Sequence, residues 1–380
     1  MESPKCCNYE INPVLSIEFL PNEILMNIFS HLNNKHLLKC AQVSKKFRQI
    51  SHDESFWKCV NLSNQRVSCE FIGQILKLGT EYLNLESATL LEDPDAVIPR
   101  KNNLKYLNLA LSSVSDKFLV RLLRSSVSLE KISLTGVNQK HLYVDYAPDY
   151  EEKNSRHDEL MLEVRRSWYI ESLLPNAKML TSLDLSNTQS YRCRVNFELI
   201  KEIVLNCVEL KEANFRNQIT LEDDLEFFAN NLTPKIEKLN ISYNGFLYEH
   251  ILPLVKRCKN ITELDLYRCD LDVDRFEYHD GGPEENQNSL IAISENLSES
   301  LVKLQLPDHS MLFHDFLKSL PKLRYLWNKS KVATMIIEKY PLIVLNEGTA
   351  KIAHCANEYF EPKQGFWEVK CTAFDFSKTQ

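Results

Sequence analysis

A short apolar motif, L-x-x-L-x-L, returns along most of this chain and limits what it can fold into. It reads Leu104-Lys-Tyr-Leu107-Asn-Leu109, then Leu129 to Leu134, Leu180 to Leu185, Leu210 to Phe215, Ile236 to Ile241, Ile261 to Leu266 and Leu301 to Leu306, with a shorter copy at Leu323 to Leu326. Weaker copies surround Val60 to Leu62, Leu83 to Leu85 and Ile343 to Leu345. Starts lie 25 residues apart from 104 to 129, 26 from 210 to 236 and 25 from 236 to 261. A unit of that length holds one short strand and one helix. Neither buries its apolar side alone, whereas stacked neighbours share one core.

The spacing predicts an α/β leucine-rich-repeat solenoid, a curved horseshoe with parallel strands inside and helices outside. It should comprise about ten repeats over residues 61–345. Helical stretches fall between the strands, as in Asp116 to Ser126, where Phe118, Leu119, Leu122 and Leu123 share a face. Two intervals are long: 51 residues from Leu129 to Leu180 and 40 from Ile261 to Leu301. Their surplus is acidic, near 144–160 and 270–288, and insertions in a solenoid go to loops.

The loop at 270 places Asp270, Asp272 and Asp274 like the start of a calcium-binding EF-hand. Its sixth position is Arg275 instead of glycine and its twelfth is Gly281 instead of glutamate, so no metal site is expected. His309 and His314 lack a third ligand.

Before the repeats stands a different piece, "FLPNEILMNIFSHLNNKHLLKCAQVSKKFRQISHDESFWKCVNL", from Phe19 to Leu62. Pro21 and Glu23 suit the first turn of a helix carrying Ile24, Leu25, Ile28, Phe29 and Leu32, with Asn33-Asn34 as its stop. Two more short helices carry Leu37, Leu38 and Ala41, then Phe47 and Ile50, ahead of Phe56-Trp57. Three short helices are too small for an independent core, so they need the solenoid on one side and another protein on the other.

Composition narrows the function. Hydrophobic residues are 44% and charged residues 26%, with no apolar run long enough to span a bilayer. The start "MESPKCCNYE" has no signal-peptide pattern, and the eleven cysteines are an odd number, so reduced thiols in the cytoplasm or nucleus are expected. Six asparagines stand in N-x-S/T sequons, several inside strand-like alternation that glycosylation would not suit. A net charge of −7 gives no general pull toward nucleic acid. Only 8 glycines are present, and neither a P-loop nor a G-x-G-x-x-G motif occurs.

The run L-P-x-E-I-L-x-x-I-F-x-x-L, then L-L-x-x-A-x-V-S-x-x-F-x-x-I and F-W, resembles the F-box, and with the repeats the chain resembles F-box/leucine-rich-repeat proteins. The matching positions include Leu20, Pro21, Ile24, Leu25, Ile28, Phe29, Leu32, Leu37, Val43, Phe47 and Trp57. The resemblance implies that these residues bind a Skp-type adaptor. Through it the chain would be held on a cullin–RING scaffold, as the substrate-recognition subunit of a Skp–cullin–F-box (SCF) E3 ubiquitin ligase.

It also implies a layout of a 1–18 extension, a 19–60 F-box, 61–345 repeats and a 346–380 tail. Stretches such as "LVKRCKNITELDL" and "FWEVKC" are similar to members that capture phosphorylated cyclin-dependent-kinase inhibitors with a Cks accessory protein. In those members the tail folds back over the concave face.

No nucleophile–base constellation stands out, and no cofactor is expected. Cys207, Cys258 and Cys269 read as buried thiols. The chain would act by proximity, holding a substrate lysine near a charged conjugating enzyme. Residues between the motif leucines point away from the core. Among them Lys238, Asn240, Glu263, Asp265, Tyr267, Lys303, Gln305, Tyr325 and Trp327, with Trp367 of the tail, form the candidate substrate or accessory face. Two other readings stand beside this one. One is a leucine-rich-repeat scaffold without ligase role; the other is a GTPase regulator presenting Arg192, Arg194 or Arg268.

Overall fold

The computed structural model describes residues 17–91, 96–137, 169, 171–186, 197–219, 222–269, 288–307, 314–327 and 344–345. The residues 1–16, the acidic segments 144–160 and 270–287, Arg192, Arg194 and His309, and Trp367 with the rest of the tail, for which the sequence sets expectations, lie outside them.

The repeats form an all-parallel sheet of eleven strands in chain order. They are β1 (Cys59–Asn61), β3 (Tyr82–Asn84), β5 (Tyr106–Asn108), β6 (Lys131–Ser133), β7 (Ser182–Asp184), β8 (Glu212–Asn214), β9 (Lys238–Asn240), β10 (Glu263–Asp265), β11 (Lys303–Gln305), β12 (Tyr325–Trp327) and β13 (Val344–Leu345). Each strand is short because the motif supplies only a few alternating residues before the chain turns. The register puts motif leucines side by side, as Leu83↔Leu107 and Leu239↔Leu264. Even the weak copies near residues 60, 83 and 344 are strands of this sheet.

Apolar alternation and helix faces meet in one continuous core that runs from Leu25 to Leu326. In the helix Asp116–Ser125, Phe118, Leu119, Leu122 and Leu123 are all buried. The helix Cys69–Lys77 starts where Ser68 accepts a hydrogen bond from the Phe71 backbone NH, 3.2 Å, and turns Ile72, Ile75 and Leu76 inward. Gly73 of this helix lies directly against Val97, whose carbonyl oxygen would stand 2.4 Å from any Cβ added there.

One repeat departs from the strand-plus-helix expectation. Between β3 and β5 the described residues hold a further strand, β4 (Thr89–Leu91), which pairs in parallel with β2 (Arg66–Ser68) as a second small sheet. Thr-Leu-Leu is too short for a helix and its branched first residue suits extended backbone.

The amino-terminal piece comprises a 3-10 turn (Ile17–Phe19), α1 (Asn22–Phe29), α2 (Asn34–Cys40) and α3 (Lys45–Ser51). Pro21 is the N-cap of α1, and Asn33 caps α2 by accepting from the His36 backbone NH, 3.0 Å, so the asparagine pair starts a helix as well as ending one. Ser44 caps α3 through the Phe47 backbone NH. None of the described helices is long and apolar enough to cross a membrane.

Candidate functional site

Two surfaces stand out, one on the helical piece and one on the open face of the sheet, turned away from the helices. In α1 the apolar residues come as adjacent pairs, and adjacent residues point about 100° apart around a helix. One member of each pair turns inward. Leu25 and Phe29 are buried, and the Phe29 ring meets Phe47 edge to face at 5.2 Å. Leu37 is buried as well, and the Trp57 indole NH donates to the Ser51 carbonyl, 2.7 Å, while its ring meets Phe71 of the first repeat.

Those five residues, Leu25, Phe29, Leu37, Phe47 and Trp57, were expected at an adaptor interface. The structure corrects this: they are the internal core that joins the helices to the solenoid. Leu20 and Leu32 are half-buried against that same core.

The other members of the pairs face solvent. Ile24 is 47% exposed, Ile28 37% and Val43 67%, beside Ile17 at 48% and Phe19 at 78%. Pro21 is exposed too. Lys46 fastens this patch by donating to the carbonyls of Glu18 and Leu20, at 2.8 and 2.7 Å, which holds the Phe19 arm near the start of α3. Five of the thirteen large apolar side chains exposed among the described residues therefore fall within 17–43. Such concentration marks an interaction surface. Sequence reading missed Ile17 and Phe19; the signal was apolar residues immediately ahead of the helix-starting proline.

On the sheet, two expected recognition residues are structural. Asn240 and Asp265 are buried, and each side-chain oxygen accepts the backbone NH two residues on, Ser242 and Tyr267, both at 2.9 Å. The same turn is built by Asn61, Asn84, Asn108, Asp184 and Asn214. The set is a ladder that ends each strand. Burial raises the Asp184 carboxyl above its ordinary value and pushes Asp265 to about 6, although Arg216 and the Tyr267 NH oppose the rise.

Two residues earlier in each strand stand Glu212, Lys238, Glu263 and Lys303, in register. Lys238 lies 2.9 Å from Glu212 and 3.9 Å from Glu263, and Lys303 lies 3.1 Å from Glu263. Lys303 also stands over the exposed Tyr325 ring. Gln305 is half-buried, and Trp327 ends β12. This strip largely neutralises itself, unlike the array of independent charges that alternation alone suggests.

Tyr267 of the expected set belongs to a further group at the carboxyl-terminal rim of β8–β10. It meets Tyr243 edge to face at 5.5 Å, and Arg216 stands 4.2 Å from the Tyr243 ring centre. Tyr243 was missed because it falls just after the L-x-L motif.

Burial pushes the Cys207 and Cys258 thiols up to about 12, which keeps them protonated and unreactive. Cys269 is buried too, its thiol directed at the Ile241 carbonyl. Among the described residues no group of three His, Cys, Asp or Glu side chains could hold a metal ion.

Residues 17–63 match the family model described as F-box-like. The chain is 42% identical over 74 residues to the ubiquitin ligase complex F-box protein UFO1 of Saccharomyces cerevisiae, covering 19% of this chain and 11% of that protein. It is 29% identical over 182 residues to the F-box protein FBW2 of Arabidopsis thaliana, covering 44% and 54%. Over 42 residues it is 45% identical to F-box/LRR-repeat protein 5 of Mus musculus, 11% of this chain and 6% of that protein. The chain thus spans at most about half the length of these curated relatives. Among solved structures, an internalin of Listeria monocytogenes aligns at 15% identity with a TM-score of 0.43, over 82% of this chain and 86% of that one.

Proposed function

We propose that this chain, an F-box-like module built onto a leucine-rich-repeat solenoid, is the substrate-recognition subunit of an SCF ubiquitin ligase. The observation that carries the reading is the solvent-facing apolar patch of Ile17, Phe19, Ile24, Ile28 and Val43 on a module whose opposite side is committed to its own core. A Skp-type adaptor covers that patch. The module then hangs the solenoid from a cullin–RING scaffold, and the chain contributes no bond-making group of its own. It positions a bound protein so that a lysine meets the charged conjugating enzyme at high effective concentration.

The match of residues 17–63 to the F-box-like family supports the adaptor. The finer proposal is that the substrate is a phosphorylated cell-cycle protein, such as a cyclin-dependent-kinase inhibitor, taken with a Cks accessory protein in the cytoplasm or nucleus. It is supported by the likeness of the repeat and tail sequences alone.

Co-expression with a Skp-type adaptor tests the reading. The wild-type chain is expected to co-purify with it. Ile28→Asp, which charges the exposed patch, is expected to lose the adaptor while its circular dichroism and melting temperature stay close to wild type. Burying that carboxylate at the interface would cost several kcal/mol. Wild-type binding by Ile28→Asp and by Ile24→Asp would overturn the assignment of this face.

A further inference from the structure

The cations of this chain are unevenly placed. Its net charge is −7, yet residues 96–128 carry six cations, Arg100, Lys101, Lys105, Lys117, Arg121 and Arg124, and one carboxylate, Asp116. Lys105 is taken by Glu81 at 2.7 Å, and Asp116 accepts from the Tyr169 hydroxyl. The fold gathers four of the others. Arg121 donates to the Ala96 carbonyl, and the Asn102 amide donates to the Ser125 and Ser126 hydroxyls at 2.8 and 3.2 Å. Both fastenings are made to the helix Asp116–Ser125 and its end, so Arg100 and Lys101, which lie between them, stand beside Arg121 and Arg124. All four are exposed, and none is in an ion pair among the described residues. A cation in the last turn of a helix offsets its dipole, which accounts for Arg124 and leaves Arg100 and Lys101 without a structural task.

An apolar strip begins where this cluster ends. Outside the helical module eight large apolar side chains are exposed among the described residues, and four of them, Val127, Met179, Leu205 and Val208, share one rim. They stand in or just ahead of the turns that lead into β6, β7 and β8. Val127 and Val208 lie two residues before Leu129 and Leu210, and Met179 one before Leu180. Hydrogen bonds stack these turns: the Thr181 NH donates to the Glu130 carbonyl at 2.7 Å, and the Lys211 NH to the Thr181 carbonyl at 2.8 Å. Neighbours in such a sheet repeat every ~4.8 Å. Lys178, exposed and in no ion pair among the described residues, sits in the middle of the strip. At the far end the charge changes sign, with Glu202 and Glu209 exposed beside Leu205 and Val208.

We propose that this rim is the docking site for a short amphipathic helix of a partner protein, acidic in its first turn and aliphatic along one side. Its carboxylates meet Arg100, Lys101, Arg121 and Arg124, and its aliphatic side chains lie along Val127, Met179, Leu205 and Val208. Side chains three and four residues apart on a helix are ~5–6 Å from each other, close to the spacing of the stacked turns. Carboxylates in the first turn also suit the positive end of that helix, and the arginine forks pair them bidentately.

The rim's chemistry separates this occupant from others. Among the described residues it exposes no aromatic side chain on which a base could stack, and its aliphatic side chains gain nothing from phosphates. A flat anionic membrane would meet Glu202 and Glu209 as well as the cations, whereas a helix presents carboxylates at one end only. Calling the partner a ubiquitination substrate rests on the ligase reading; the site itself does not.

The test is fluorescence polarisation on the full chain with three labelled alanine-based helical peptides. The first has glutamates in its first turn and leucines three and four residues apart; the second has glutamine for glutamate, the third serine for leucine. The first is expected to bind about tenfold tighter than either of the others. Lys101→Gln with Arg124→Gln is expected to erase the preference for glutamate, and Met179→Ser with Val208→Ser the preference for leucine. All four side chains are exposed, so both variants should melt with wild type. Equal binding of the glutamate and glutamine peptides, or full binding by either variant, overturns the site. Sedimentation with phosphatidylserine vesicles in place of peptide binding gives the rim to a membrane and overturns it too. Peptide binding that appears only after Asp145→Asn, Asp149→Asn, Glu151→Gln and Glu152→Gln together gives the rim to the chain's own acidic segment and overturns the partner. Adaptor binding on the same preparations separates the two readings: peptide binding without adaptor binding sinks the ligase role and leaves the site standing.

Discussion

At position 265 the chain carries aspartate where five other strands of the sheet carry asparagine. Both residues accept the backbone NH that closes the turn, but only aspartate brings a charge into a buried place. Its pKa of about 6, raised chiefly by burial, means the folded state holds the proton more tightly than the unfolded chain does. That stabilising contribution is complete below the ordinary value near 3.8 and is lost as pH rises through about 6. Asp265→Asn keeps the acceptor and removes the ionisation. It is therefore expected to stabilise the protein by ~1–3 kcal/mol near pH 7 to 8, with the advantage fading toward pH 4. Urea melts across that range check it, and a variant less stable than wild type at pH 8 would refute it. The residue also shows where sequence reading stops. Alternation correctly put Asn240 and Asp265 on the open face of the sheet, but the stacked neighbours that bury them belong to other repeats.

The element that most rewards scrutiny is α1, whose eight residues serve two surfaces at once. Its apolar content was plain in the sequence. Which of Ile24, Leu25, Ile28 and Phe29 faces inward was not, because a stripe that wide has no polar edge to fix its rotation. The structure resolves the pairs, and the consequence is measurable. Phe29→Ala removes a ring packed on Phe47 and is expected to cost ~3–5 kcal/mol, whereas Ile28→Ala is expected to stay within about 0.5 kcal/mol in the free chain. Thermal melts of the two variants side by side settle the rotation. Loss of adaptor binding in Phe29→Ala would then report a disordered module rather than a missing contact, which is why Ile28 is the informative position.

Across the whole molecule the repeat period alone implies most of the fold. Copies as weak as those at Leu83 and Leu345 lie in strands, since a solenoid needs only the shared leucine register to propagate. The continuity between the helical module and that solenoid was less visible, because it depends on a few residues at the junction. Trp57 packs on Phe71, donates to Ser51 and belongs to the same core as Val60 and Leu62. The module and the first repeats should therefore open as one cooperative unit, while repeats near β10 to β12, many neighbours away, open separately. Trp57→Ala is expected to cost ~3–5 kcal/mol locally. In hydrogen exchange it should raise amide exchange together across α1, α3 and the helix Cys69–Lys77, and leave the amides of β10 near wild-type rates. Faster exchange confined to the three amino-terminal helices would show a module that folds by itself. Faster exchange reaching β10 would mean the array behaves as one unit, so that a partner on the helical face would be felt at the far rim.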